Sequence, residues 1–65
     1  MREEMMGDEL VKIDFDEILA ESDDAYRFQI GDDKHWIPKS QISTVFEKIK
    51  VVHITEWIAA KKGLI

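Results

Sequence analysis

The chain has no cysteine, which excludes disulfides and thiolate metal sites. It has one proline, Pro38, and three glycines, Gly7, Gly31 and Gly63. Glycines so few and so scattered make neither a phosphate-cradling loop nor a Gly-x-Ser-x-Gly nucleophile elbow. There is no Asp-x-Asp-x-Asp-Gly calcium loop. No apolar run approaches the ~20 residues of a membrane span, and no basic-then-apolar leader opens the chain. These absences predict a cytoplasmic protein with no membrane partner. At 65 residues the chain makes one domain at most. A chain of this size buries only about 60% of its unfolded surface. With no disulfide or cysteine-bound metal to staple it, a protein partner or a second copy of the chain is the expected source of added stability.

Charge is plentiful and unevenly placed. Residues 1–33 hold three cations against twelve acids, a net of −9, and residues 34–65 hold six against two, a net of +4. Two readings follow. Acidic early strands can pair with basic later ones across a sheet, or the asymmetry can mark a binding surface.

Residues 1–8 show no period, and Gly7 ends any helix there, so a flexible arm is expected ahead of a single domain over 9–65. Val11, Ile13 and Phe15 alternate with Lys12, Asp14 and Asp16, the period of a strand with one wet face. The phase then slips through Ile18, Leu19 and Ala20, which predicts a bulge or bend near Asp16-Glu17. Ser22-Asp23-Asp24 is turn chemistry. A second strand follows, with Tyr26, Phe28 and Ile30 on one face, and the short connection predicts an antiparallel hairpin. Gly31 to Lys34 reads as the next turn.

His35-Trp36-Ile37 reads as a third strand, stopped or placed on an edge by Pro38. Lys39-Ser40-Gln41 is then a polar or single-helical turn, and Ile42 returns to the core. In 43–54, Thr44 and Glu47 have capping-box spacing, but the β-branched residues favour a strand over 46–54. The chain closes with a short helix: Thr55 as N-cap, Glu56 in the first turn, Lys61 and Lys62 in the last, and Gly63 as a left-handed stop. The expected core is Val11, Ile13, Phe15, Leu19, Phe28, Ile30, Ile37, Ile42, Val51, Ile54, Trp57 and Leu64. The fold class is α+β, mainly β: an antiparallel sheet of three to four strands, curled into an SH3-like or OB-like half-barrel, with the helix closing one side.

No catalytic residue is assigned. Ser40 with His35 or His53 lacks any oxyanion loop, and a turn cap is its simpler role. Asp32, Asp33, His35 and His53 have no ligand spacing that holds a metal, so no metal or other cofactor is assigned. The candidate binding residues are Tyr26, Lys34, Trp36, Lys39, Ser40, Gln41, Lys48 and Lys50. They combine cations with aromatic platforms, the set single-strand nucleic-acid binders use. A net charge of −5 opposes a strong site of that kind. As a strand, 46–54 would project Lys48 and Lys50 from one face. Trp36, Trp57 and Tyr26 are also typical protein-interface anchors. Trp36 reads equally as core or anchor, and Trp57 reads as core.

Trp36-Ile37-Pro38-Lys39-Ser40-Gln41 and Glu56-Trp57-Ile58-Ala59-Ala60-Lys61-Lys62-Gly63-Leu64 together resemble a family of short phage and prophage open reading frames. Those carry W-[I/L]-P-K-S-Q and, near the C-terminus, E-W-L-A-x-K-K-G-L. Glu17 to Asp23 is similar as well, and the likeness spans residues 10–65, with Thr44–Lys50 departing from it. It implies a small β-rich domain in a viral setting, often near replication genes and so in the host cytoplasm, and it transfers no catalytic residue. The expected function is a non-catalytic binding module with a protein partner, self-association included. The alternatives are an accessory nucleic-acid-binding domain using Trp36 and the lysines, or a counter-defence inhibitor whose acidic front meets a basic or nucleotide-binding surface. No small-molecule substrate is implied.

Overall fold

The computed structural model describes residues 9–65. The arm expected over residues 1–8 lies outside them. The described chain runs β1 (Leu10–Asp14), β2 (Glu17–Glu21), β3 (Ala25–Ile30), β4 (Asp33–Pro38), a 3₁₀ turn (Lys39–Gln41), β5 (Ile42–Phe46), β6 (Val51–Thr55) and α1 (Glu56–Lys61). This is α+β and mainly β. Instead of one sheet of three or four strands there are two antiparallel sheets of three, ordered β1-β6-β5 and β2-β3-β4.

The switch between sheets sits at one peptide link. The Phe15 N–H donates to the Lys50 carbonyl at 2.9 Å, continuing the first sheet. The next N–H, of Asp16, donates to the Gln29 carbonyl at 2.7 Å and opens the second. The Asp16 carboxylate then accepts from the Gly31 N–H at 2.9 Å. The expected bend near Asp16-Glu17 is therefore present, at Asp16. A separate register shift falls between Ile18 and Ala20 in the β2–β3 ladder, placing the unpaired residue at Leu19.

The β2–β3 connection is Ser22-Asp23-Asp24, as expected, with Ser22 Oγ accepting from the Ala25 N–H at 3.1 Å. The β3–β4 turn is tighter than expected. It has only Gly31 and Asp32 between paired Ile30 and Asp33. Gly31 takes φ +62, the sign demanded at the first position of a two-residue hairpin turn.

The strand expected over 46–54 is corrected. β5 ends at Phe46, Glu47 to Lys50 turn the chain, and β6 begins at Val51. Lys50 at φ 57 reverses the direction, which a continuous β-branched pattern concealed. Lys48 and Lys50 therefore share no strand face.

The two sheets enclose Ile13, Phe15, Phe28, Ile37, Val52 and Ile54, and α1 adds Ile58 and Ala59. Phe28 packs in tilted contact with Phe15 at 4.8 Å and with Tyr26 at 5.9 Å between ring centroids. Two turns of helix cannot stand alone, and α1 is held at both ends. Thr55 Oγ1 accepts from the Ile58 N–H at 3.3 Å. At the other end the Gly63 N–H donates to the Ala60 carbonyl and the Leu64 N–H to the Ala59 carbonyl, a Schellman closure with Gly63 at φ +74.

Two core assignments are overturned. Leu19, the unpaired residue of the β2–β3 ladder, is only half-buried, and Ile18 packs against the core in its place. Trp57 is 48% exposed, and Ile58 and Ala59 are buried in its place. The small Ala59 side chain lets the helix sit close to β6 and β1, which it contacts. That docking turns Trp57 outwards.

Candidate functional site

Trp36 is the residue whose placement decides the site. It lies on β4, one of the two edge strands of its sheet, and is 43% exposed. β4 alternates, burying Ile37 and directing Lys34, Trp36 and Pro38 to the outer face. Across the ladder Trp36 pairs with Arg27 and Pro38 with Ala25. The Arg27 guanidinium carbon stands 5.8 Å from the Trp36 ring centroid. Its Nε is buried with no hydrogen-bond partner.

The second tryptophan faces the first. Ala25, Trp36 and Pro38 from the sheet, with Trp57, Ile58, Lys61 and Lys62 from the α1 segment, line an open groove of about 360 Å³. Its walls are mostly carbon, and its charged groups are the two lysines. Lys61 Nζ sits 4.9 Å from the Trp57 ring centroid, one helical turn on. Two lysines and Arg27 thus surround two half-open indoles, and no acid lines the groove.

The remaining expected residues divide by place. Tyr26 and Lys39 come together, with Lys39 Nζ 5.0 Å from the Tyr26 ring centroid. Lys39 is not a free cation, because it donates to Glu21 Oε2 at 2.6 Å. That hydrogen bond and the charge of the carboxylate hold its pKa above the ordinary lysine value. Tyr26 and Lys39 line a second hollow of about 350 Å³ with Ile42, Ser43, Thr44, Val45 and Glu47, separate from the tryptophan groove.

Gln41 is structural: its Oε1 accepts from Thr55 Oγ1–H at 2.6 Å, tying the 3₁₀ turn to the helix cap. Ser40 is exposed on that turn, and Lys34 is exposed beside the β3–β4 hairpin. Lys48 and Lys50 lie in the β5–β6 turn and line neither hollow. Among the described residues no three histidine, aspartate or glutamate side chains gather as a metal site. His35 and His53 belong to different sheets. No helix is long and apolar enough to cross a membrane.

Of the groove's lining only Trp36 was expected at a site; Ala25, Pro38, Trp57, Ile58, Lys61 and Lys62 were not, and neither was Arg27 beside the Trp36 ring. The Trp57-to-Lys61 spacing was the available signal, since a cation one turn after an aromatic suits an exposed face. Nothing local could tell that this face would meet Trp36.

Comparison with protein-family models, curated proteins and solved structures returns no match.

Proposed function

We propose that this chain is a non-catalytic protein-binding module whose contact surface is the Trp36–Trp57 groove. The observation that carries the reading is the pair of half-exposed indoles on opposite walls of one carbon-lined groove. Indole surface in water is unfavourable by roughly 25 cal/mol per Å², so covering both rings drives association. Tryptophan and arginine are the residues most enriched where interface energy concentrates. Partner-supplied burial also answers the small core of a chain this short.

The scaffold is read as an SH3-like half-barrel in preference to an OB-like one. A first strand bent across both sheets, successive hairpins and a 3₁₀ turn joining β4 to β5 support that choice. The motif likeness supports a phage replication or host-takeover setting in the host cytoplasm.

A random peptide library displayed against the chain tests the reading, with Trp36→Ala and Trp57→Ala proteins as controls. Sequences that bind the native chain and neither variant are expected. No tryptophan-dependent enrichment would refute it. Sedimentation across concentration separates a second copy from a foreign partner: concentration-dependent growth abolished by Trp57→Ala identifies the partner as the chain itself.

Arg27, Lys61 and Lys62 around the indoles favour a second reading, an accessory site for single-stranded nucleic acid. Salt-dependent binding of a labelled oligonucleotide, lost in Trp36→Ala, is its signature. No binding at low salt removes it.

A further inference from the structure

The backbone of β4 adds something that the side chains alone do not show. A two-residue hairpin makes Ile30 and Asp33 a mutually hydrogen-bonded pair, and bonding then recurs at every second residue. Phe28 with His35 and Tyr26 with Ile37 are the next such pairs. The Lys39 N–H, donating to the Asp24 carbonyl at 2.7 Å, keeps the same side of the strand. Lys34, Trp36 and Pro38 therefore direct their main-chain groups away from β3, towards the open edge of the sheet. Pro38 has no N–H to lose, which explains why proline is tolerated inside this strand. Trp36 keeps both its N–H and its C=O pointing outwards, and no described residue takes them up.

The same residue thus offers a strand-pairing edge through its backbone and an apolar wall through its side chain. Resting on the protein-binding reading above, we propose that the partner presents an acidic extended segment. It adds to β4 as a further strand, seats one apolar side chain between Trp36 and Trp57, and sets carboxylates on Lys61 and Lys62. Strand addition takes affinity from main-chain bonds and specificity from pockets for alternate side chains. Charge selects the class of partner. The rim is cationic and holds no acid, whereas the chain as a whole is at −5. A long polyanion needs a track of cations, but Lys39 is paired with Glu21, and Lys48 and Lys50 lie in the β5–β6 turn. A short segment with a few acids meets only the favourable rim.

The test uses three labelled probes with the full chain: a short peptide alternating glutamate with valine around one phenylalanine, its lysine-for-glutamate counterpart, and oligothymidylate. The acidic peptide is expected to bind, to slow exchange of the Trp36 amide and to shift tryptophan emission. Binding should weaken at least about tenfold in Trp57→Ala and in the Lys61→Glu, Lys62→Glu double variant. All three positions lie on the surface rim, and a circular dichroism spectrum matched to the native chain checks each fold. Methylating alternate peptide nitrogens, which removes the N–H groups facing β4, should abolish binding with the protein untouched.

Equal affinity for the lysine peptide overturns the charge assignment, and indifference to methylation overturns strand addition. Tighter binding of oligothymidylate in the same groove transfers the site to nucleic acid. If the acidic peptide fails while the displayed library yields tryptophan-dependent binders of other composition, this inference falls and the protein-binding reading stands. If the library yields none, both fall.

Discussion

At Trp57 and Ile58, neighbouring residues have opposite fates. Ile58 is 3% exposed and Trp57 48%. Ile58→Ala leaves a void against β6 and is expected to cost about 2–5 kcal/mol. Trp57→Ala removes surface and should cost under about 1 kcal/mol while removing binding. Urea unfolding of both variants checks the contrast, and the reverse order would place Trp57 in the core. Lys50 gives an opposite sign. It holds φ 57 without being glycine, a conformation that costs an L-residue roughly 1–2 kcal/mol. Lys50→Gly relieves this and loses some unfolded-state restriction, so a net gain of up to about 1 kcal/mol is expected in the same assay. Lys39 supplies a pH dependence. The hydrogen bond from Lys39 to Glu21 raises the lysine pKa above 10.5. The pair's contribution is then complete below that value and is lost as pH rises through the raised one. The pair is surface-exposed, so the effect is small and salt-sensitive. Lys39→Met should flatten the alkaline limb of stability measured against pH.

Among the elements, the handover at Phe15-Asp16 and the capped helix matter most. Asp16 serves the second sheet twice, through its N–H to Gln29 and its carboxylate to the Gly31 N–H. Asp16→Ala leaves the first bond and removes the second, a loss of about 1 kcal/mol. The β3–β4 turn should loosen with it, read as faster amide exchange at Gly31. That alternation would break after Phe15 was legible, because Ile18 and Leu19 cannot both face inwards on a straight strand. Thr55 and Gly63 were legible as helix ends for similar reasons: a cap needs a side-chain oxygen, and a left-handed stop favours glycine. The β5–β6 turn was not legible. Val45, Val51 and Val52 carry strand propensity on both sides of it and Ile49 carries it within, and the turn is closed by a lysine in a backbone region that lysine seldom visits.

At the scale of the whole molecule, stability and site share one small core. Ile37 is fully buried beneath the strand that presents Trp36. A chain of this size rarely has more than about 3–5 kcal/mol in hand, and Ile37→Ala costs about 2–5. The variant should be largely unfolded at physiological temperature by circular dichroism, and should lose binding for that reason. Lys61→Glu, by contrast, should fold normally. Alternation, turn chemistry and helix caps are local properties, and they were enough to read a β-rich domain with hairpins at Ser22–Asp24 and Gly31, a bend after Phe15 and a capped terminal helix. Six strands in two sheets, and the groove itself, were decided at long range. Trp36 lies on a sheet edge only because β4 takes all its pairing from one side, from β3. Trp57 faces it only because Ile58 and Ala59 dock inwards. Neither condition is written in the residues beside either tryptophan, since which face of a helix or edge of a strand meets another is settled by the packing of the whole chain.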